Sequence, residues 1–366
     1  MNNKLKLSRR DFLKLLAAGS ATAVGGYMLA EYAPWLDYEE QVVKTWGIPS
    51  SSSPLPTLVH YATLAANGHN TQPWKFAIKD NAIEIHPDYS RRLPVVDPND
   101  RELWISLGCS LENLLVAARA SGYTTEVTYP DRADFIHVQL AADTPQDSPL
   151  FDAIPLRQNT RSAYDGRLIK NEDLDQLQAL QLEPGVALQF ATNPTAMETI
   201  LEYVNLGNLA QYADTAFVDE LIEWLRFNKK EALSSLDGLY SICSGNPQVP
   251  RLIGQMFVAG TKPQQQADAD VAKFRTSPVA VVIASESDDK VSWMRTGQVY
   301  ERLALKMTSL NIKSAFLNQP IEISTLRGQF QSAVGLGSSL PQLLVRFGYA
   351  EAMPRSLRRP VDTVLI

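Results

Sequence analysis

One spacing constrains this chain more than any other feature. Trp104, Gly108, Glu112 and Leu114 recur as Trp293, Gly297, Glu301 and Leu303, all at a single offset of 189 residues. Each set lies in a run of apolar residues at helical spacing. Asp97-Pro98 predicts the start of the first helix, with Asp as cap and Pro in the first turn, and Gly122 predicts its end. The second helix is expected to stop near Asn311. Each is followed by a strand-like stretch, Thr124 to Tyr129 and Lys313 to Phe316. The pattern predicts two copies of one α+β unit, and a chain of 366 residues is long enough for both.

Composition excludes several functions. A formal net charge of −6 argues against nucleic acid as a main partner, because phosphate binding needs a basic surface. Cys109 and Cys243 allow one bridge at most and form no C-x-x-C pair. His60, His69, His86 and His137 show no metal spacing, and neither a glycine-rich phosphate loop nor a nucleophile elbow is present.

The N-terminus reads as an address. Ser8-Arg9-Arg10-Asp11-Phe12-Leu13-Lys14 matches the twin-arginine export signal at each defining position, and a mildly apolar run, Leu15 to Ala30, follows. Such signals are read by the twin-arginine translocase, which carries folded proteins out of the cytoplasm. Periplasm or the outer face of the cytoplasmic membrane is the expected location. A clean A-x-A site is missing, so cleavage near Ala30 or Ala33 and retention as a membrane anchor both stay open. The reading divides the chain into residues 1–33 (signal or anchor), 34–56 (linker), 57–150 (first half) and 151–366 (second half).

The block Asn67-Gly68-His69-Asn70-Thr71-Gln72-Pro73-Trp74 follows an apolar helix-like run, Leu58 to Ala66, and precedes an alternating strand, Lys75 to Lys79. Small and amide residues at a helix end leave backbone N–H groups and carboxamides to face a ligand. Asn and Gln each offer donor and acceptor, which suits the uracil-like edge of a flavin. The block resembles the segment that nitroreductase-family proteins lay along FMN, and it is most similar to the Acg-type branch. The resemblance covers residues 57 to 366.

Ordinary members of that family are intertwined homodimers of about 200-residue subunits that bind FMN across their interface, whereas the Acg-type branch fuses two subunits into one chain. The resemblance therefore implies a nitroreductase-like fold of two fused pseudo-repeats, each with a mixed or antiparallel sheet flanked by helices. It implies a monomer that acts as an internal pseudo-dimer around one shared flavin site. The family's Arg-x-Ser-x-Arg phosphate clamp has its counterpart in the second half, as Arg157-Gln158-Asn159-Thr160-Arg161, with Asn159 where the family often has Ser. No arginine lies between Arg10 and Arg91, so the first half has no clamp of its own. The second half in turn has no second Asn-x-Gln-Pro-Trp. One complete site is expected, its twin decayed.

Further flavin contacts are implied for Gln319 and Pro320, in the turn Phe316 to Glu322 that runs past the flavin N5 edge in the family. Arg358 and Arg359 are implied by the closing Arg-Arg-Pro-Val. The cofactor-binding set is thus Asn67, Gly68, His69, Asn70, Gln72, Arg157, Asn159, Arg161, Gln319, Pro320, Arg358 and Arg359. An insertion at about 205–274, with an amphipathic helix expected over Phe217 to Leu236, is expected to cover the flavin as a lid, with Tyr240 and Met256 near the ring. No catalytic side chain is named, because the chemistry belongs to the flavin and the protein contributes orientation and electrostatics.

The expected function is an exported FMN-binding oxidoreductase that reduces an unknown small-molecule acceptor. Its donor would be a quinol or a protein rather than NAD(P)H, which is scarce outside the cytoplasm. The alternatives are a protein that sequesters FMN without turnover, and an envelope protein that has lost flavin and works by interaction.

Overall fold

The computed structural model describes residues 31–366 apart from 34, 48, 50–52 and 130–133. The expected export motif and apolar run therefore lie outside the described residues. Helix α1 (Tyr38–Trp46) and helix α2 (Pro54–Thr63) precede a hairpin of β1 (Trp74–Lys79) and β2 (Ala82–Pro87). Helix α3 (Arg101–Ala120), β3 (Tyr123–Thr128) and β4 (Ile136–Ala142) complete the first unit. Two short helices, Pro149–Ala153 and Asn171–Gln178, lead to β5 (Val186–Ala191). Then come α4 (Pro194–Ala213), α5 (Thr215–Trp224), α6 (Lys229–Ser235), α7 (Arg251–Ala259) and α8 (Pro263–Phe274). Strand β6 (Val279–Ser285), helix α9 (Lys290–Ser309), β7 (Lys313–Phe316), α10 (Ser324–Ala333) and β8 (Leu340–Gly348) close the second unit.

The two four-stranded sheets have the same topology. One runs β1-β2-β4-β3 and the other β5-β6-β8-β7, every neighbouring pair antiparallel. In both, the long helix connects the second strand to the third. The repeat seen as four identities is thus a repeat of a whole ββαββ unit, and the α+β reading holds. The units differ at the first connection. Between β1 and β2 lies a two-residue turn, Asp80-Asn81, with Asp80 at φ 50°. Between β5 and β6 the same position carries residues 192–278, the insertion expected at about 205–274.

The paired glycines explain how the units join. A Cβ added to Gly108 would lie 2.0 Å from the Met294 carbonyl oxygen, and one on Gly297 would lie 2.0 Å from the Ile105 oxygen. Ile105 and Met294 are themselves one repeat apart. Each helix thus presents the same surface to the other, the reciprocal pattern of a two-fold interface. Only glycine lets the backbones meet this closely. Both helices are buried nearly all round in the main core. Strand β6, Val-Ala-Val-Val-Ile-Ala-Ser, is buried on both faces. Its alternate residues face the main core and a second cluster under α4 and α10. Strand β3 instead alternates exposed and half-buried residues, one face in water.

The chain ends cross between units. Phe76 N–H donates to Val364 O (2.8 Å) and Ile366 N–H to Phe76 O (2.9 Å), so the C-terminus lies along β1. Thr160 N–H donates to Ser314 O (2.8 Å), laying the clamp segment along β7.

Three boundaries differ from expectation. Helix α3 starts at Arg101 because Asp100 is left-handed (φ 57°), although the Asp97 carboxylate still accepts the Leu103 N–H (2.9 Å) as a cap would. The segment taken as linker holds α1, capped by Asp37, whose Tyr38 packs with Tyr240 and Leu357, and α2 starts inside it at Pro54. The helix expected over Phe217 to Leu236 is two helices. Leu225-Arg226 pairs with Leu239-Tyr240, and Asn228 starts α6 by accepting the Glu231 N–H.

Candidate functional site

The turn after α2 is held in an unusual shape. His69, Asn70 and Gln72 have φ of 48°, 55° and 53°, left-handed values that Asn tolerates best among side-chain-bearing residues. Its own amides fasten it. Asn67 Oδ1 accepts the Gln72 N–H (2.8 Å), while Asn67 Nδ2 donates to Ala65 O (3.1 Å). Asn70 Nδ2 donates to Gly238 O (3.0 Å) and Leu357 O (3.2 Å), and its Oδ1 accepts from Arg358 Nη1 (2.7 Å). Gln72 Nε2 donates to Leu236 O (2.9 Å), and its Oε1 accepts the Arg359 N–H (2.7 Å). The carboxamides expected to be free for a ligand are therefore spent on tying the turn to the insertion and the C-terminal tail.

A cleft opens beside this turn, with an empty volume of about 680 Å³ counted to its mouth. Asn67, Asn70, Arg157, Asn159, Arg161 and Arg358 line it, joining both halves at one place. Gly68, His69, Gln72, Gln319, Pro320 and Arg359 lie outside the lining. Gly68 N–H donates to Ser106 Oγ (3.3 Å), and Arg359 is engaged with Gln72 O (2.7 Å). The 319–320 turn is covered: Gly207 of α4 sits where a Cβ would lie 2.6 Å from Gln319 Cβ. Gln319 Nε2 meanwhile reaches Asn208 Oδ1 and Asp270 Oδ2, each at 3.3 Å. Of the two insertion residues expected near a ring, Tyr240 lines the cleft and Met256 does not.

Charge is the cleft's defining property. Among the described residues four arginines line it (Arg157, Arg161, Arg355 and Arg358) and no carboxylate does. Arg157 is no solvated surface residue. It is 4% exposed, its Nε lies 2.8 Å from Glu301 Oε1, and its Nη2 donates to Leu64 O (2.8 Å). Glu301, fully buried, also accepts the Ala66 N–H (3.1 Å), so one carboxylate fixes both the clamp and the amide turn. Burial holds the Glu301 carboxyl above its usual range. Burial and then Arg157 push Arg355 down to about 10. Burial, Arg157 and Arg355 in turn push Arg358 down to about 9. Crowded cations of this kind favour a bound anion.

Trp46 supports the cluster by stacking, with the Arg355 guanidinium 3.8 Å and that of Arg358 5.1 Å from its ring centre. Arg161 has no hydrogen bond or ion pair among the described residues, and burial lowers its pKa. His69 is pushed down to about 4 by burial and then by Arg161. Among the described residues the buried Asn159 Oδ1 and Arg358 Nε have no hydrogen-bond partner, which leaves one acceptor and one donor open. Cys243 also lines the cleft, but burial pushes its thiol up to about 11, far from a reactive thiolate. Both cysteines are free.

Sequence reasoning missed Trp46, Arg355 and the role of Glu301. Trp46 was hidden in a presumed linker. Arg355 stands three residues before Arg358 and carried the same signal. Glu301 was visible only as a repeat position; its first-half equivalent, Glu112, instead grips Arg302 through two contacts of 2.7 and 2.8 Å.

No family model matches the chain. Two Mycobacterium tuberculosis proteins are similar to it, both named provisionally as NAD(P)H nitroreductases. Rv3131 is 25% identical over 320 residues, covering 84% of this chain and 90% of that protein. Acg is 25% identical over 328 residues, covering 85% and 94%. Among solved structures, a nitroreductase with bound FMN from Bacteroides fragilis aligns at 16% identity and TM-score 0.37, over 60% of this chain and 99% of that one. The FMN-dependent nitroreductase NfnB of Mycobacterium smegmatis, in complex with NADPH, aligns at 12% and 0.37, over 57% and 94%. Over more than four-fifths of its length, then, this chain is similar to Acg-type nitroreductase-like proteins.

Proposed function

We propose that the protein is an FMN-binding oxidoreductase, exported by the twin-arginine route, that reduces a small molecule. The observation that carries this reading is a cleft built where the halves meet that, among the described residues, is lined by four arginines and no carboxylate and holds an unpartnered acceptor. Arg157, Arg355 and Arg358 would take the phosphate through charge-assisted hydrogen bonds. Asn159 Oδ1 would accept an N–H of the kind a flavin's pyrimidine edge carries. Arg161, with no ion-pair partner among the described residues, would face an electron-rich edge of the same ligand. FMN, when bound, supplies hydride or electron transfer between a donor and an acceptor. The 192–278 insertion would restrict water and select what reaches the ring.

The nicotinamide-dependent chemistry in the names of the mycobacterial proteins fits less well with export, so a quinol or a protein donor is favoured. One observation supports a second reading, FMN sequestration without turnover: α4 packs directly on the Gln319-Pro320 turn and closes that side. Anaerobic reduction of the loaded protein by menadiol, then reoxidation by a quinone or nitroaromatic, separates the two. Repeated cycling supports the oxidoreductase. A stoichiometric flavin that neither menadiol nor NADPH reduces supports sequestration. Export is tested with Arg9→Lys/Arg10→Lys, which should hold the chain in the cytoplasmic fraction; unchanged export would refute the signal.

A further inference from the structure

Helix α7 is built inside out. A surface helix usually turns its large apolar residues inward. Here the residue against the protein is Gly254, whose missing Cβ would lie 2.1 Å from the Phe227 ring. Leu252 is 62% and Phe257 54% exposed, with Ile253 and Met256 half-buried between them. At about 100° per residue, Leu252, Met256, Ile253 and Phe257 fall within one arc of about 140°, and Gly254 lies beyond its edge.

The chain's entry point lies beside this face. Glu31 accepts from Arg251 N–H and Asn228 Nδ2, each at 3.3 Å, and Tyr32 donates to Gln248 O (3.1 Å). Lys229 Nζ reaches Leu36 O (2.9 Å). Between these anchors Trp35 is 69% exposed. The sequence leading to Glu31, Leu15 to Ala30, contains no charged residue. Exposed Lys262 follows α7, and half-exposed Lys230, 3.7 Å from Glu31 Oε1, sits near its start. An outward apolar arc, a neighbouring Trp and flanking cations are the pattern of a surface that enters a lipid headgroup layer. No described helix is long and apolar enough to cross a membrane, so this contact would lie on the bilayer rather than span it.

We propose that α7 and Trp35 form a docking face for an anionic lipid bilayer, seating the 192–278 insertion on the membrane surface. The proposal does not depend on flavin. It gives the N-terminal apolar stretch and the insertion one common partner.

The test is amide hydrogen exchange on the full chain, with and without phosphatidylglycerol/phosphatidylethanolamine vesicles, read at residues 252–259. Reading this segment keeps the result separate from any tethering by residues 1–30. Vesicles should slow exchange there at least tenfold, and Leu252→Glu/Phe257→Glu should abolish the slowing. Both side chains are already in water, so that variant should keep the wild-type melting temperature. Co-sedimentation with vesicles without slowing at 252–259 would overturn the proposal, leaving the N-terminus as the sole attachment. Slow exchange without vesicles would also overturn it. Dependence on protein concentration would then assign the face to a second copy, and independence would assign it to the chain's own residues 1–30.

Discussion

Replacing Arg157 by Ala would strip the buried Glu301 of the cation it is paired with. The pair lies at 2.8 Å with side chains 4% and 0% exposed, so no water is at hand to solvate the remaining carboxylate. Breaking such a buried pair costs about 3–5 kcal/mol, against less than about 1 kcal/mol for an exposed one. Glu301 also holds the Ala66 N–H, so the loss extends into the amide turn. Arg157→Ala should therefore lower the unfolding free energy in urea by about 3 kcal/mol or more. Arg157→Met/Glu301→Leu should recover most of that loss, because apolar groups of similar volume carry no desolvation penalty. Yet the double variant should bind FMN no better than Arg157→Ala, since the guanidinium is gone. Stability and binding then separate. A loss below about 1 kcal/mol for Arg157→Ala, or a double variant as unstable as the single, would refute the argument that one buried ion pair holds the clamp.

Gly297→Ala drives a methyl into the Ile105 carbonyl, so urea unfolding should fall by about 3 kcal/mol, the upper end for overpacking; Gly328→Ala, in open space on α10, should be neutral or slightly stabilising. Arg161→Ala breaks no ion pair among the described residues, so its unfolding should stay within about 0.5 kcal/mol of wild type while FMN binding weakens about tenfold to a hundredfold. His69, at about 4 when folded against an ordinary 6.5, contributes its full stability above pH 6.5 and loses it as the pH falls towards 4. Asp97, pushed up to about 6 by burial and then Glu102, runs the opposite way, its contribution complete below 3.8 and lost as pH rises through 6. The measurement is therefore the stability difference between wild type and His69→Gln, which should shift against wild type as pH falls from 6.5 to 4; a constant difference would refute the burial of His69.

How much of this was legible in the sequence depends on what each residue had to do. The repeat was legible because a close helix crossing admits only glycine, and Gly108 and Gly297 therefore stand at one offset. Strand β7 was legible to the residue, since Lys313 to Phe316 lies between a helix end and a proline turn. The break in the helix over Phe217 to Leu236 was missed because apolar spacing continues through it, although Asn228 was a capping residue in plain view. The composite cleft was legible because charge pattern survives folding: Arg157, Arg161 and Arg358 do meet the amide turn. The fate of the amides was not. An Asn that lines a ligand and an Asn that staples a turn look alike in a sequence, and only the partners of Asn67, Asn70 and Gln72 distinguish them. Trp46 was invisible because its partners, Arg355 and Arg358, lie some 300 residues away along the chain.

The central claim is one ligand site assembled from two fused halves, and the most direct measurement is cofactor stoichiometry. The protein, purified as expressed in its host, would be denatured, and the released chromophore identified by mass and counted by absorbance. One FMN per chain is the predicted result. Two per chain would contradict the single composite site, and none, even after incubation with excess FMN, would contradict the reading of the arginine cleft.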